Sequence, residues 1–504
     1  MNLARYCLTN ADPDPGKTAL EVVGAGGEIL EVWTFGDLVR SVLSVAAGLG
    51  AAGLRPGDRV LLRIGHSSDF PLLFFGAIAG GFVPVPTSAL LTPLETAAIL
   101  SDSGASAIVH DGQTPLPETS VVPFLGPGAI AELKRSVPGA FAETGRDDPA
   151  FLIYTSGTSG TPKGVLHAHR AAAARAPMYQ GWYGISAADR LLHAGAFNWT
   201  YTLGAGLMDP WANGATSIVY DGPRDPDVWP RIITATGATL FAAVPSLYRR
   251  ILKYGEVSPA SFPALRHGLT AGEALAANLY HDWKTRTGRE LYEALGMSEI
   301  STYLSSGPLV AVKPGSPGKP QAGRKAAILR ERSDGQDFAA PGEPGLLAIH
   351  RDEPGLMLGY WNRPQETEAA FRGDWFLTGD RARQDEDGYY WYEGRADDLM
   401  NAFGYRVAPE EVERVLAADR QVLEVAVTAV PAPNGISLIT AFVVPRDPDG
   451  FDVDRLAAHA AGQLAEYKRP KAYQVVDQLP RTPSGKVRRK ALTQAEPDGF
   501  LAPG

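Results

Sequence analysis

The first four hundred residues alternate between helix-like and strand-like patterns of apolar positions. After Thr34, apolar residues at 38, 39, 42, 43, 46 and 49 recur at helical spacing, which predicts a helix with Thr34 as its N-cap. Strands separated by helices are typical of α/β layers with mixed sheets, so we predict an α/β fold here. Short apolar runs bounded by turn residues predict strands at 60–62, 107–109, 151–154, 217–220 and 239–241.

The pattern changes near residue 395, where a different mixture of elements begins. We predict a helix, two β-rich runs, a second helix and a last strand, at 409–416, 422–430, 436–444, 453–464 and 473–476. About a hundred residues suffice for an independent domain. We therefore predict a large multi-sheet N-terminal domain over 1–396 and a small, mobile α+β domain over 397–504. The polar residues 395–398 form the expected connector.

Two stretches resemble functional segments, a membrane span and a dinucleotide-binding loop, but the surrounding sequence argues against both interpretations. Residues 70–94 carry no charge, but prolines at 71, 84, 86 and 93 interrupt them, which favours a buried helix followed by a core strand over a membrane span. The glycine-rich residues 23–27 resemble half of a dinucleotide-binding loop. Such a loop needs a helix after it, whereas strand-like sequence lies on both sides, so we predict a hairpin.

Charge and cysteine content narrow the functional classes. The 504 residues contain 47 Lys and Arg against 56 Asp and Glu, a net charge of −9, which disfavours nucleic acid as the main partner. Cys7 is the only cysteine, so a disulfide framework and a cysteine-based metal site are excluded. We find no signal-peptide pattern and expect a cytoplasmic protein. His167 and His169 are a weak ligand signal, and we predict no transition-metal site.

The strongest chemical signal is a loop rich in glycine and hydroxyl residues after the strand at 151–154. Glycines allow backbone N–H groups to approach anionic oxygen, hydroxyls donate further hydrogen bonds, and Lys163 adds a positive charge. The Walker A pattern is absent, because Pro162 precedes the lysine and Gly164 follows it. We therefore predict a phosphate-binding loop of another kind, which contains Thr155, Ser156, Gly157, Thr158, Ser159, Gly160 and Lys163.

This loop resembles the phosphate loop of the adenylate-forming superfamily, which includes acyl-CoA synthetases, peptide-synthetase adenylation domains and beetle luciferases. Other motifs of that superfamily follow in order along nearly the whole chain, at 270–275, 295–299, 378–380, 394–398, 404–406 and 480–486. Any one motif alone would be weak, but the ordered set is highly specific. The chain is similar to acyl- and aryl-CoA synthetases of the benzoate–CoA ligase or medium-chain type.

The resemblance implies a two-step reaction with ATP, Mg²⁺ and coenzyme A as co-substrates. ATP and a carboxylic acid would give an acyl-adenylate and pyrophosphate, and the CoA thiol would then displace AMP. Lys486 is the implied catalytic residue of the first step, and Glu299 would help to place Mg²⁺. Ser298 would add a phosphate contact. The residues implied to bind AMP are Gly272, Glu273, Ala274, Glu293, Asp380 and Arg395.

The resemblance also implies that the small domain serves both steps by rotating at Asp397. In one orientation Lys486 would enter the site. In the other, the segment with Gly404 and Arg406 would face it, and the missing side chain of Gly404 would open a path for the pantetheine thiol.

The acid pocket is implied to include Trp199, Thr200, Val244 and Gly296, whose character suits an uncharged acyl tail. Acetate-specific relatives carry bulky tryptophans in the motif that ends at Glu299, whereas this chain has Leu295 and Gly296 there. We expect Gly296 to remove a side-chain floor, so that an aromatic or medium-chain acid larger than acetate fits. Leu295 also replaces the aromatic residue that many relatives place against adenine.

Two other functional classes stay open at the level of sequence. The acyl acceptor could be a carrier-protein thiol or an amine instead of CoA. The chain could also be a non-catalytic nucleotide-binding relative, although the key charged residues of the motifs are all present. The sequence leaves the oligomeric state open, a homodimer included.

Overall fold

A computed structural model describes residues 1–118, 121–155, 162–223, 225, 227–331, 334–395, 400–402, 405–407, 409–432, 436–480, 487 and 489–493. In these residues the chain forms layers of helices and mixed sheets, followed by a smaller α+β unit. Within the described residues, we find no helix with the length and apolarity that crossing a membrane requires.

The helices are short to medium in length and alternate with strands over most of the chain. They are α1 (Leu3–Thr9), α2 (Phe35–Ala51), α3 (Asp69–Ala79), α4 (Pro93–Ser103), α5 (Pro127–Arg135), α6 (Ala176–Met178), α7 (Thr200–Leu203), α8 (Asp209–Ala212), α9 (Val228–Ala235), α10 (Pro245–Tyr254), α11 (Ala277–Thr287), α12 (Pro364–Ala369), α13 (Pro409–Ala417), α14 (Val453–Gln463) and α15 (Arg489–Leu492).

The strands fall into several separate sheets. They are β1 (Thr18–Val23), β2 (Ile29–Thr34), β3 (Arg59–Arg63), β4 (Val83–Pro86), β5 (Ala107–His110), β6 (Phe124–Leu125), β7 (Pro149–Thr155), β8 (Lys163–Ala168), β9 (Arg190–His193), β10 (Thr216–Tyr220), β11 (Leu240–Ala243), β12 (His267–Ala271), β13 (Glu290–Met297), β14 (Ser301–Ser305), β15 (Lys319–Pro320), β16 (Ala326–Leu329), β17 (Gly345–His350), β18 (Gly359–Tyr360), β19 (Phe371–Arg372), β20 (Trp375–Gln384), β21 (Tyr390–Arg395), β22 (Met400–Ala402), β23 (Tyr405–Val407), β24 (Val422–Pro431), β25 (Ser437–Pro445) and β26 (Ala472–Val475).

The largest sheet has nine strands in the order β15-β14-β13-β12-β11-β9-β10-β1-β2. Its interior strands, from β13 to β1, run parallel, and β2, β14 and β15 add antiparallel edges. Parallel neighbours end at the same edge of a sheet, which is where ligands bind in open α/β folds. The segments that leave β9, β11, β12 and β13 therefore all start at one edge, although they are far apart in sequence.

Smaller sheets complete the N-terminal region. Strands β4-β3-β5-β6 form a parallel sheet, β18-β8-β7 an antiparallel one, and β16-β17-β20-β19, with β21 paired to β20, a third. Their buried faces share apolar clusters with the large sheet and its helices. Cys7 of α1 is fully buried in one of these clusters. Burial raises the pKa of its thiol well above the usual value.

The region beyond residue 399 has a core of its own. Strands β24, β25 and β26 form a sheet that packs on α13 and α14. Buried side chains from Met400 to Tyr473 form one hydrophobic cluster. The predicted large α/β region and small α+β region are thus confirmed. The predicted boundary between 396 and 397, with the hinge residue Asp397, lies outside the described residues and stays a prediction.

Most predicted elements are present, and their observed ends differ from the predicted ends by a few residues. Thr34 accepts a hydrogen bond from the Asp37 backbone N–H and caps α2, as its sequence context predicts. The uncharged residues 70–94 supply α3, whose residues 70–79 are all buried, and the core strand β4. The glycines at 24–27 join the antiparallel strands β1 and β2, so the predicted hairpin is confirmed.

A buried ion pair fixes the helical segment beneath the edge of the large sheet. The Arg175 guanidinium donates two hydrogen bonds of 2.7 Å to the two carboxylate oxygens of Asp209, which is fully buried. Tyr183 donates a third hydrogen bond to Asp209, at 2.7 Å. Arg175 also donates to the Ser301 hydroxyl, and Ser301 has a left-handed backbone with φ of 81°. The pair therefore anchors the start of β14.

Replacing Asp209 by Ala leaves the Arg175 charge buried without its partner. Breaking a buried pair costs about 3–5 kcal/mol, whereas an exposed pair contributes about 0–1 kcal/mol. We expect Asp209→Ala to lower the urea midpoint strongly, and Asp374→Ala, which breaks the exposed pair with Arg351, to leave it nearly unchanged. Equal effects of the two substitutions on unfolding would contradict the anchoring role.

Candidate active site

One cleft collects nine of the residues that the sequence analysis singles out, which is most of those whose side chains the structure describes. It lies at the shared edge of the large sheet and is closed on other sides by β7 and by the small domain. Because these residues come from separate motifs, their meeting in one cleft is a property of the fold and not of local sequence. The predicted site residues on its surface are Thr155, Trp199, Thr200, Gly272, Glu273, Ala274, Glu293, Gly296 and Ser298.

The predicted phosphate loop connects two paired strands. Thr155 at the end of β7 is opposite Lys163 at the start of β8. Ser156, Gly157, Thr158, Ser159 and Gly160 lie outside the described residues, so their contacts stay a prediction. The Lys163 ammonium forms an ion pair with Glu366 and lies 5.3 Å from the centre of the Tyr360 ring. Glu366 thus neutralises the Lys163 ammonium, and it also lies 3.8 Å from the Arg363 Nε.

Glu299 is buried and held by residues that lie far from it in sequence. The Tyr360 hydroxyl donates a 2.9 Å hydrogen bond to Glu299 Oε1, and the Met357 N–H donates to the Glu299 carbonyl at 2.7 Å. Within the described residues, no group of three or more acidic, histidine or cysteine side chains could hold a metal ion.

His167 holds the residue beside Glu299. Its Nε2 lies 2.8 Å from the Ser298 carbonyl, and its ring stacks on Phe151 at 4.6 Å. Burial lowers the pKa of His167 to about 4, so the ring is neutral and carries its proton on Nε2 to donate to that carbonyl. His167 therefore has a structural role, which is to position Ser298 through this hydrogen bond.

The predicted adenine loop follows β12. Gly272 has a φ of +91°, which favours glycine, and a Cβ there would lie 3.7 Å from Val244 Cγ1. Val244, predicted to contact the acyl group, thus lies behind Gly272 and is not among the described residues that line the cleft. The Glu273 carboxylate accepts hydrogen bonds from the backbone N–H and the hydroxyl of Ser246, at 3.2 and 3.0 Å. Burial raises the pKa of Glu273, and these hydrogen bonds partly offset that effect.

Glu293 lies on β13 and reaches the same loop. Its Oε1 accepts a 2.9 Å hydrogen bond from the Leu275 N–H. Burial raises the pKa of Glu293 to about 8, so the carboxyl is largely protonated at neutral pH. A protonated carboxyl can donate as well as accept a hydrogen bond. Leu295, which takes the place of an aromatic residue in many relatives, also lines the cleft.

Asp380 lies beside the cleft and not on its described surface. It is buried in β20, its N–H donates to the Thr378 hydroxyl at 3.2 Å, and it is opposite Arg395 in β21. Tyr392, on the same strand as Arg395, does line the cleft. The side chain of Arg395 lies outside the described part of the chain. The predicted ribose contacts of both residues therefore stay predictions.

Gly296 lines the cleft for a different reason from the one that its sequence suggests. A Cβ at Gly296 would lie 2.5 Å from the Ser301 carbonyl oxygen and 2.6 Å from Thr302 Cα. The missing side chain therefore makes room for the backbone of β14 and does not remove a floor from the acid pocket. The expectation that Gly296 enlarges the pocket is wrong on this point, although Ser301 and Thr302 line the same surface.

The small domain supplies the remaining wall. Tyr405 lies between two rings, with its centre 4.7 Å from Trp199 and 3.9 Å from Tyr467. Asn401, Tyr467 and Lys468 line the cleft beside it. Tyr405 lies in the motif at 404–406, whereas the motifs did not single out Asn401, Tyr467 or Lys468, because nothing local distinguishes these three from an ordinary surface. Gly404, Lys486 and the side chain of Arg406 lie outside the described residues.

The chain belongs to the AMP-binding enzyme family. A family model described as AMP-binding enzyme matches residues 8–361, and one described as AMP-binding enzyme C-terminal domain matches residues 411–486. The chain is 33% identical to a benzoate–CoA ligase of Thauera aromatica, with 94% of each chain covered. It is 30% identical to a 3-hydroxybenzoate–CoA ligase of Aromatoleum sp. (strain CIB), over 93% of this chain and 92% of that protein.

Solved structures with the same fold differ in how well they superpose. The o-succinylbenzoate CoA synthetase of Bacillus subtilis, a double mutant bound with its product analogue OSB-NCoA, has a TM-score of 0.85 at 25% identity, with 99% of each chain covered. ATP-bound MatB from Rhodopseudomonas palustris has a TM-score of 0.72 at 27% identity, over 98% of this chain and 99% of that one. The adenylate-forming fold predicted from the motifs is confirmed.

Replacing Tyr360 by Phe removes the hydroxyl that holds Glu299 and keeps the ring beside Lys163. A hydrogen bond to a charged group contributes about 1.5–3 kcal/mol, and each ~1.4 kcal/mol is a factor of ten in rate. We expect acid-dependent release of pyrophosphate from ATP to fall at least about tenfold, with little change in melting temperature. Tyr389→Phe, which removes a surface hydroxyl bonded to the Ala311 carbonyl, is the matched control. Equal rates in the two variants would contradict the role of Tyr360.

Proposed function

We propose that this protein is an ATP-dependent, AMP-forming carboxylic acid–CoA ligase. The observation that carries the proposal is the meeting of residues from separate motifs in one cleft, with hydroxyl, carboxyl and aromatic groups on its walls. The curated relatives named above are CoA ligases of aromatic acids. The chain acts in two steps on one site, and its partners are small molecules.

In the first step the acid and ATP are held in line. A carboxylate oxygen attacks the α-phosphorus, the bond to the bridging oxygen breaks, and pyrophosphate leaves with the electron pair. Such transfers depend mainly on alignment and on stabilisation of charge. Thr155, Ser298 and Lys163 lie where the β- and γ-phosphates bind, and Lys486 neutralises the charge that develops at the carboxylate and α-phosphate oxygens.

The groups around Glu299 fit a magnesium ion shared with the phosphates. Mg²⁺ favours oxygen ligands and is usually bound through one or two carboxylates together with substrate phosphates. Glu299 is such a carboxylate, and Ser298, its neighbour in the chain, lines the cleft together with Thr155. When bound, the ion would neutralise phosphate charge. Tyr360 and His167 keep Glu299 and Ser298 in place.

The nucleoside of ATP lies against the loop after β12 and the end of β13. Gly272, Glu273 and Ala274 line the adenine, and the hydrogen bond from Ser246 fixes the Glu273 carboxylate. Glu293 contacts the exocyclic amino group from the side. Asp380 and Arg395 bind the ribose hydroxyls beside the cleft.

In the second step the CoA thiol attacks the acyl carbonyl and AMP leaves. The proposed domains are 1–396 and 397–504, with rotation at Asp397 between the two steps. We assign the described orientation to thioester formation, because Asn401 of β22 and Tyr405 of β23 line the cleft. The higher TM-score with the OSB-NCoA complex than with ATP-bound MatB supports this assignment.

The acid is aromatic or medium-chain. Trp199, Thr200 and Tyr201 form an aromatic and hydroxyl-bearing wall where the acyl group binds, and Ser301 and Thr302 line the same cleft. Such walls suit an uncharged ring or alkyl chain better than a second carboxylate. We place the protein in the cytoplasm, because its one cysteine is a free, buried thiol. The net charge of −9 disfavours nucleic acid as a partner.

A panel of acids tests the function directly. With ATP, Mg²⁺ and CoA, we expect benzoate, hydroxybenzoates, hexanoate or octanoate to be used with a higher kcat/KM than acetate, since the aromatic wall gains little from a methyl group. The products are measured as AMP, pyrophosphate and acyl-CoA. AMP without a thioester would indicate another acceptor, a carrier-protein thiol or an amine. Neither AMP nor pyrophosphate with any acid would indicate a binding protein.

Separate assays of the half-reactions test the roles of the small domain. Lys486→Ala is expected to abolish formation of the acyl-adenylate and to spare thioester formation from presynthesised acyl-adenylate. Gly404→Leu is expected to do the reverse, because a side chain would narrow the thiol path. An equal loss of both activities in either variant would exclude this division of labour.

A further inference from the structure

The turn at 465–468 of the small domain is inserted into the large domain. Ala465 is fully buried in a hydrophobic cluster with large-domain residues that include Leu61, Val83 and Leu152. Tyr467 packs against the same cluster and stacks on Tyr405, which faces the cleft. The position of this turn is therefore tied to the position of the β22–β23 hairpin.

Lys468 lies at the tip of this turn and joins the two domains electrostatically. Its ammonium donates to Glu411 Oε1 at 2.8 Å and to Glu95 Oε1 at 2.9 Å. Glu411 lies on α13 of the small domain, whereas Glu95 lies on α4 of the large domain. All three side chains are almost completely shielded, with exposed fractions of 6%, 5% and 11% for Lys468, Glu411 and Glu95.

The cluster contains two carboxylates and one ammonium, and the buried Arg63 guanidinium of the large domain also interacts electrostatically with Glu95. Burial alone would lower the pKa of Lys468, but Tyr467, Glu411 and Glu95 raise it, so the lysine stays protonated. Within the described residues, Glu411 Oε2 has no hydrogen-bond partner. Buried charges that are paired add little net stability but strongly disfavour arrangements that break the pair.

The two halves of the cluster respond differently to a rotation of the small domain. The Lys468–Glu411 pair travels with the small domain, because both residues belong to it. The Lys468–Glu95 contact can form only when the turn is docked on α4. Glu95 also caps α4 through its other oxygen, which accepts from the Thr92 N–H at 3.0 Å, so its carboxylate is held in place whether or not Lys468 is there.

We propose that Lys468 and Glu95 form an interdomain latch that holds the small domain in its cleft-facing orientation, so that both are positioning residues for thioester formation. This inference rests on the proposed two-step reaction. Neither residue needs to touch the reacting atoms. Their contact selects the orientation in which Tyr405 and the hairpin face Trp199 and the acyl group.

Glu95→Gln tests the latch with little other disturbance, since glutamine keeps the length of the side chain and an oxygen to cap α4. We expect thioester formation from presynthesised acyl-adenylate to fall about tenfold, and acyl-adenylate formation to change less than about twofold, because only the docked orientation is penalised. Asp69→Asn is the matched control, since it removes the Lys134 ion pair within the large domain. We expect this variant to leave both half-reactions unchanged.

A distance measurement tests the latch without using activity. Leu309 in the large domain and Leu423 in the small domain are exposed, whereas Cys7 is fully buried, so Leu309→Cys and Leu423→Cys together give a selectively labelled pair. By double electron–electron resonance we expect one main distance in the otherwise unchanged chain. Adding Glu95→Gln should lower the population at that distance at least about twofold, and Asp69→Asn should not.

Lys468→Gln provides the reciprocal test. If the two residues act through one contact, Glu95→Gln and Lys468→Gln each shift the distance, and the double variant shifts it no further than the larger single effect. An unchanged distance distribution in Glu95→Gln, or equal losses in both half-reactions, would overturn the latch. If the protein forms no adenylate with any acid, that result contradicts the proposed function and not the latch. The measured distances between the two labels then still test the latch.

Discussion

The parallel direction of the central strands is the constraint on which the site depends. Six neighbouring strands of the large sheet run the same way, so the segments after β9, β11, β12 and β13 emerge at one edge. The segments after β9, β12 and β13 carry aromatic, hydroxyl, glycine and carboxyl residues that line the cleft. Reversing one of these strands would send its segment to the opposite edge, more than 10 Å away at about 3.3 Å per residue. The strand topology alone thus brings these segments to one edge of the sheet, whatever contacts their side chains make.

Charged and polar side chains then refine what the topology brings together. Glu299 and Ser298 are held by Tyr360 and His167, which come from a neighbouring sheet. Arg175 and Asp209 hold the start of β14, which forms the other side of the cleft at Ser301. Each support crosses between elements that are far apart in the chain. The site is therefore sensitive to the packing of layers as well as to its own residues.

The sequence predicted the fold class, most elements and some of the residues that share the cleft, because periodic burial and ordered motifs are local signals. It did not predict Tyr360, His167 or Lys468 as supports, since their partners lie tens to hundreds of residues away and their own neighbours look ordinary. Gly296 was interpreted wrongly for a related reason. A glycine shows that space is needed, but only the structure shows that the backbone of β14 fills that space.

The burial of Cys7 protects the protein from acylation of its own thiol. Acyl-adenylates are indiscriminate acylating agents, and thiolates are the side chains that they would modify fastest. The single thiol of this chain, Cys7 of α1, is buried in a hydrophobic cluster and has a raised pKa. It is therefore shielded from the acyl-adenylate and is not ionised. The enzyme therefore transfers the acyl group to an external thiol without exposing a reactive thiol of its own. This avoids slow inactivation by acylation of its own cysteine.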